Sequence, residues 1–314
     1  MLTTETLCDL LVDPQSHPRG LPHLSAASGL VRLPGRLYVV ADDEHHLGVM
    51  ADLQQVPTKA LSAPPVALLR LFEGDLPGAK GPRKAAKPDL EALTAVPPLP
   101  GCPHGALLAL GSGSRPTRET AVLLALDASG ASTGRMAHID LAALYAPLRA
   151  QFADLNIEGA FIVSGELHLL QRGNKGDGRS ACVRFDWNQL VPWLTGRQPV
   201  PPRPKSVRVM ELGQVDGVPL GFTDGAALPG GGWVFSAVAE ATQDSYHDGA
   251  CAGSAIGVVG PDGALRQLVG LQGAPKVEGI AVLLQGDLLR LSLVTDADDP
   301  AVASQLLQAH LALV

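Results

Sequence analysis

Cysteine is scarce and scattered. Cys8, Cys102, Cys182 and Cys251 are the only four in 314 residues, and no CxxC pair occurs. That excludes a disulfide framework and a cysteine-built zinc site, and it fits a reducing compartment. Aromatic residues make up 4% of the chain, so a core has to be built from Leu, Val and Ala. No apolar run reaches the roughly 18 residues needed to span a membrane. The opening stretch MLTTETLCDLLVDPQ has neither the basic start nor the long apolar run of a secretory signal. The expected location is cytoplasmic. Basic charge is also short: 24 Lys and Arg stand against 31 Asp and Glu, for a formal net charge of −7. A general nucleic-acid binder needs a basic stripe, and the one basic cluster, residues 80–87 (KGPRKAAK), reads as a solvated loop. No GxSxG elbow is present. Gly111-Ser112-Gly113-Ser114 is not followed by a Lys-Ser/Thr helix, so it is not a P-loop.

Glycine and proline are plentiful, 35 and 26 residues, and they fall mostly between apolar runs, as in a turn-rich all-β chain. A short polar-small-apolar triplet recurs five times: Ser28-Gly29-Leu30, Glu91-Ala92-Leu93, Glu158-Gly159-Ala160, Asp224-Gly225-Ala226 and Glu278-Gly279-Ile280. The spacings are 63, 67, 66 and 54 residues, and the step from Glu278 through the C-terminus back to Ser28 is 64. A period this long with strand-like content predicts a single-domain β-propeller over residues 1–314, with five blades, or six as the alternative.

Each unit reads as four strands. Unit one gives 29–33, 36–41, 47–53 and 66–72; unit three gives 159–163, 166–171, 181–186 and 207–212. Alternation and β-branched content favour strands. Unit five gives 279–284, 288–295 and 306–314 and then runs out of chain, while an unclaimed strand, 5–13, precedes unit one. The N-terminal strand is therefore expected to close the last blade. Residues 141–152 and 187–194 carry helical spacing, the first after Asp140 as N-cap and with Pro147 inside.

In a propeller the residue opening each inner strand and the residues ending each second strand converge on one mouth of the channel. The openers are Ser28, Glu91, Glu158, Asp224 and Glu278, and the second-strand ends include Asp42, His45, Arg115, Arg172, Asn174, Glu240 and Asp296. The opposite turns are bland Pro-Gly or Ser-Gly, so the polar face is the functional one. Four carboxylates around a narrow channel repel and raise one another's pKa. Shared protons, Arg or Lys partners such as Arg115, Arg172 and Lys175, or a bound cation relieve this. Hard oxygen donors suit Ca²⁺ or Mg²⁺. The metal candidates are Glu91, Glu158, Asn174, Asp224, Glu278 and Asp296; the ligand-binding candidates are Asp42, His45, Arg115, Arg172 and Glu240. The competing reading makes the opening acids inter-blade glue, accepting backbone N–H bonds from the next blade. His45-His46 beside three acids also suits general acid/base work, and residues 243–248 suit a lid.

The acid-Gly-apolar opener, the Gly-containing turn and the strand ending in an acid resemble the repeat of bacterial esterase-like, phytase-like propellers. Glu158-Gly159-Ala160 with residues 166–171, and Glu278-Gly279-Ile280 with Asp296, match best. The plan is also similar to SdiA-regulated, gluconolactonase and paraoxonase propellers. The resemblance implies a channel-mouth site, divalent-cation-assisted hydrolysis of an ester, lactone or phosphoester, and a small-molecule ligand. Ser28 and Ala92 depart from its pattern. No single catalytic residue is assigned. The alternative is a non-catalytic propeller that binds a ligand or protein partner on the same face.

Overall fold

Short apolar runs punctuated by Gly and Pro favour strands over long helices, and the described residues form 21 strands and three short α-helices. The computed structural model describes residues 1–53, 65–173, 178–241 and 250–313. Asn174, Lys175 and the 243–248 segment lie outside the described residues. Strand β1 (Glu5–Asp9) precedes the first blade. Blade 1 is β2 (Ala27–Leu33), β3 (Arg36–Ala41), β4 (His46–Ala51) and β5 (Ala67–Arg70). Blade 2 is β6 (Leu90–Val96), β7 (Ala106–Gly111), β8 (Thr120–Leu126) and β9 (Ser132–Asp140). Blade 3 is β10 (Ile157–Val163), β11 (Glu166–Gln171), β12 (Ala181–Asp186) and β13 (Ser206–Val209). Blade 4 is β14 (Gln214–Val215), β15 (Val218–Ala227), β16 (Trp233–Ala241), β17 (Ala250–Val259) and β18 (Leu265–Gly270). Blade 5 is β19 (Val277–Gln285), β20 (Leu288–Thr295) and β21 (Gln305–Ala312), completed by β1.

The inner strands β2, β6, β10, β15 and β19 each pack on the inner strands of both neighbours, so the five sheets close a ring. The fold is a five-bladed β-propeller. β1 pairs antiparallel with β21, from Glu5 opposite Gln308 to Asp9 opposite Gln305. It is shorter than the 5–13 run because Leu10 and Val12 turn inward to join Leu24, Leu37 and Leu306 in the core. The core is mostly aliphatic, with aromatic residues such as Tyr145, Phe152 and Trp193 in the blade 2–3 cluster and Phe161 of blade 3 meeting Trp233 of blade 4 at 5.1 Å between ring centroids. Each fully buried Leu, Val or Phe contributes about 1.5–3 kcal/mol.

Each inner strand carries a β-bulge, near its start in four blades and mid-strand in β15. The register slips between Ala27 and Leu30, Leu90 and Ala92, Ile157 and Gly159, Phe222 and Asp224, and Val277 and Gly279. The extra residue is therefore Glu91, Glu158 or Glu278 in three blades, but Thr223 in blade 4. The position after the bulge faces the next blade's backbone. A Cβ at Gly279 would lie 2.0 Å from Ser28 O, and one at Gly29 would lie 2.5 Å from Leu93 N.

Helix α1 (Lys80–Ala86) corrects the reading of the basic cluster as a solvated loop. Pro82 sits in the first turn, where its missing N–H costs nothing, and Arg83 and Lys87 turn inward and are buried. Helix α2 (Ala142–Arg149) has Pro147 inside and Asp140 accepting from Ala142 N at 2.8 Å. Helix α3 (Trp187–Leu194) is capped by Asp186, which accepts from Gln189 N. No helix among the described residues is long and apolar enough to cross a membrane.

Candidate channel-mouth site

The bulges and the ends of the second strands bring one polar set to one face. They line a cavity of about 470 Å³ that includes Ser28, Glu91, Glu158 and Glu278 from the bulges. Asp42, Arg115, Arg172 and Asp296 come from the loops after the second strands, and Glu240 comes from the end of β16. Of the residues singled out from sequence, these are the ones the fold brings together.

Two buried ion-pair groups organise the floor. In the first, Arg172 of blade 3 reaches Glu240 of blade 4 at 2.7 Å, Glu158 of its own blade at 3.6 Å and Glu278 of blade 5 at 3.7 Å. Lys276 joins it, 3.5 Å from Glu240 and from Glu278 and 2.5 Å from Asp298. In the second, Lys87 bonds Asp42 of blade 1 and lies 2.8 Å from Asp89 of blade 2. Asp89 also accepts from Arg118 at 2.7 Å and from the Ser112 hydroxyl at 2.5 Å. Arginine and lysine thus neutralise much of the acidic ring, the second of the three remedies that the sequence left open.

The carboxyls respond to burial and to these partners. Burial lifts Glu158 to about 8; Arg172 opposes the shift and Glu278 adds to it. Burial likewise lifts Asp296 to about 8 against Lys276. Glu91 is raised well above the carboxylate range by burial and by the nearby Glu158, Asp89 and Asp42, with Lys87 the opposing charge. Burial would also raise Asp89, but Lys87 and Arg118 win and hold it below its ordinary value. Lys87, Arg172 and Lys276 are all driven up against their own burial by the surrounding acids, so each is a permanent cation.

One oxygen each from Asp42, Asp89 and Glu91 lie within 4.8 Å of one another. This group could hold a metal ion. It overlaps the sequence-predicted metal set only at Glu91. Glu158 and Glu278 sit on the Arg172 and Lys276 side, and Asp296 accepts from Asp298 N at 2.7 Å.

Asp224 is placed differently. The bulge in blade 4 falls one residue earlier, so Thr223 takes the position of Glu158 and Asp224 takes that of Gly159. A one-residue slip turns a side chain to the other face. Asp224 is fully buried, and its Oδ2 accepts from Leu30 N of blade 1 at 3.2 Å and from Ile280 N of blade 5 at 2.9 Å. Gly225 N donates to Oδ1 at 2.7 Å. This carboxyl joins three blades in the manner of the inter-blade reading. His45 also stands apart from the cavity, donating to Gly74 O at 3.1 Å and packing on Phe72.

Sequence reasoning did not single out Lys87, Asp89, Arg118 or Lys276. A signal was present for two of them. Asp89 and Lys276 stand two positions before the openers Glu91 and Glu278, as Asn156 does before Glu158.

A family model described as a family of unknown function, DUF6910, matches residues 83–300. The chain belongs to the DUF6910 family. The matched span runs from α1 to the loop after β20 and so contains both ion-pair groups except Asp42. No curated protein matches the chain. Among solved structures it is similar to a luciferin-regenerating enzyme, at 13% identity and a TM-score of 0.39, over 90% of this chain and 77% of that one. It is similar to a PQQ-bound aldose sugar dehydrogenase from Streptomyces coelicolor, at 12% identity and a TM-score of 0.38, over 98% of both chains. A third similarity is to a quinohemoprotein alcohol dehydrogenase from Comamonas testosteroni, at 11% identity and a TM-score of 0.34, over 87% of this chain and 40% of that one.

Proposed function

We propose that this DUF6910 protein binds a small polar molecule at the channel mouth, with Asp42, Asp89 and Glu91 holding a hard divalent cation, Ca²⁺ or Mg²⁺. The reaction class is cation-assisted hydrolysis of an ester, lactone or phosphoester. The observation that carries this is the convergence of three carboxyl groups at the edge of the cavity. Carboxylate oxygens are the donors these ions take. When bound, such an ion supplies Lewis-acid polarisation of a carbonyl or phosphoryl oxygen and an acidified water. The chain's own residues do the rest. Arg118 and Ser112 fix the Asp89 carboxylate. Arg172 and Lys276 hold Glu240 and Glu278 in ion pairs. Glu158 stays largely protonated near neutral pH and offers an O–H to a ligand. The resemblance to esterase-like, phytase-like propellers supports hydrolysis, and four free cysteines support a cytoplasmic setting.

A second reading is non-catalytic ligand binding without a cation. It is favoured by Lys87, whose ammonium already sits on Asp42 and Asp89. The two readings separate by melting temperature with chelator and with added Ca²⁺ or Mg²⁺. A ligand specific to the folded state stabilises it by about 2.7 kcal/mol at a hundredfold excess over Kd. We expect the ion to raise the melting temperature, Glu91→Gln to abolish the rise, and Lys87→Met to enlarge it. Wild type and Lys87→Met that both ignore ions and chelator would retire the cation.

A further inference from the structure

The cations of the cavity are not all spent on carboxylates. Arg83 pairs with Asp43 at 3.3 Å, Lys87 with Asp42 and Asp89, and Arg118 with Asp89. Arg172 and Lys276 are held by the acids of blades 3 to 5. Lys80 and Arg115 also line the cavity and are exposed. Among the described residues neither has a carboxylate partner within 4.0 Å. Both stand on one wall, made by α1 and the loop after β7, and Arg118 ties those two segments by donating to Lys84 O at 3.1 Å.

This wall is pinned before any ligand arrives. Gly113 N donates to Arg118 O at 3.1 Å and Arg118 N to Arg115 O at 2.9 Å. Arg149 of α2 donates to Gly113 O at 3.0 Å. Ser114 N donates to Ser112 Oγ at 3.2 Å, and Ser112 is anchored on Asp89. A backbone fixed this way loses little freedom on binding, which favours affinity. The guanidinium it carries is a planar fork matched to carboxylate and phosphate oxygens.

We propose that the wall bearing Arg115 and Lys80 is an oxyanion subsite, so that the molecule taken at the mouth carries a carboxylate or phosphate group next to the Asp42, Asp89 and Glu91 corner. This deepens the channel-mouth reading and rests on it. A neutral lactone or simple alkyl ester would leave both cations unused, whereas an acid ester or a phosphoester would meet them.

The test is calorimetric titration of the full chain with inorganic phosphate and, separately, with propionate, each against chloride of matched ionic strength. Wild type, Arg115→Ala, Arg115→Lys and Lys80→Ala are compared, with the exposed Arg197→Ala as control, and every titration is run with chelator and with Ca²⁺. We expect one of the two anions to bind wild type and Arg197→Ala, and Arg115→Ala to weaken it about tenfold. Arg115→Lys should recover only part, because the fork is lost. Phosphate alone binding points to a phosphoester; propionate alone points to an acid ester. Anion binding that persists in chelator while Ca²⁺ does not bind leaves the subsite standing and removes the cation reading. Ca²⁺ binding without either anion, or anion binding untouched by Arg115→Ala and Lys80→Ala, overturns the subsite.

Discussion

Replacing Asp224 by Ala tests whether the propeller is tied at its axis by a single carboxyl. The side chain is fully buried. Its removal orphans three backbone donors: Leu30 N of blade 1 and Ile280 N of blade 5, which share Oδ2, and Gly225 N, which bonds Oδ1. An orphaned buried donor costs about 1–3 kcal/mol, so the three should cost about 3–9 kcal/mol. Against a domain stability of about 5–15 kcal/mol this is a large fraction. Asp224→Asn keeps an amide oxygen for both donors and sets its NH₂ against Gly225 N, which donates to Oδ1 in the wild type. It should lose less than half as much as Ala. The assay is urea unfolding, with the midpoint converted through a common slope. A loss under about 1 kcal/mol for Asp224→Ala, at unchanged slope, would show that the axis does not depend on this carboxyl.

Stability should also depend on pH through Glu158. Its folded value, about 8, lies above the unfolded carboxyl value of about 4.3. The contribution of the neutral form is therefore complete below the unfolded value and lost as pH climbs towards the folded one. In chelator, wild type should weaken from about pH 5 to about pH 8, and Glu158→Gln should show a flatter slope; equal slopes in urea midpoints would refute this. Gly279→Ala should be strongly destabilising, because its Cβ would meet Ser28 O at 2.0 Å, whereas Gly78→Ala meets nothing within 4 Å. Comparable melting temperatures for the two variants would contradict that packing. Deleting residues 1–9 strips β1 from β21 and bares a sheet edge, so the product should aggregate; a soluble deletion variant with wild-type melting temperature would count against closure by this strand.

Four of the buried middle strands were legible to the residue. β3, β11, β12 and β20 begin and end where the hydrophobic pattern places them, because each is a short, nearly continuous apolar run bounded by polar or turn residues. The inner strands start earlier than the pattern suggests, since a bulge breaks the alternation that would have signalled them. The mouth was legible as a face, because propeller geometry sends openers and second-strand ends to the same side. Its charge balance was not. Lys87 finds Asp42 across 45 residues of sequence, and no local spacing announces that pairing. Asp224 was misaligned for the same reason as the inner strands: Asp-Gly-Ala looks like Glu-Gly-Ala, while the bulge one residue earlier decides which face the carboxyl takes.

That offset gives the five units different jobs despite their common ancestry of pattern. A designer who copied blade 3 into the place of blade 4 would set a glutamate where Thr223 stands and a glycine where Asp224 stands. The resulting ring would be more regular, yet it would carry an extra unmatched acid at its rim and nothing at its centre to brace it. Perfect fivefold symmetry would therefore weaken this molecule, and the irregular unit is the one that its regular neighbours cannot replace.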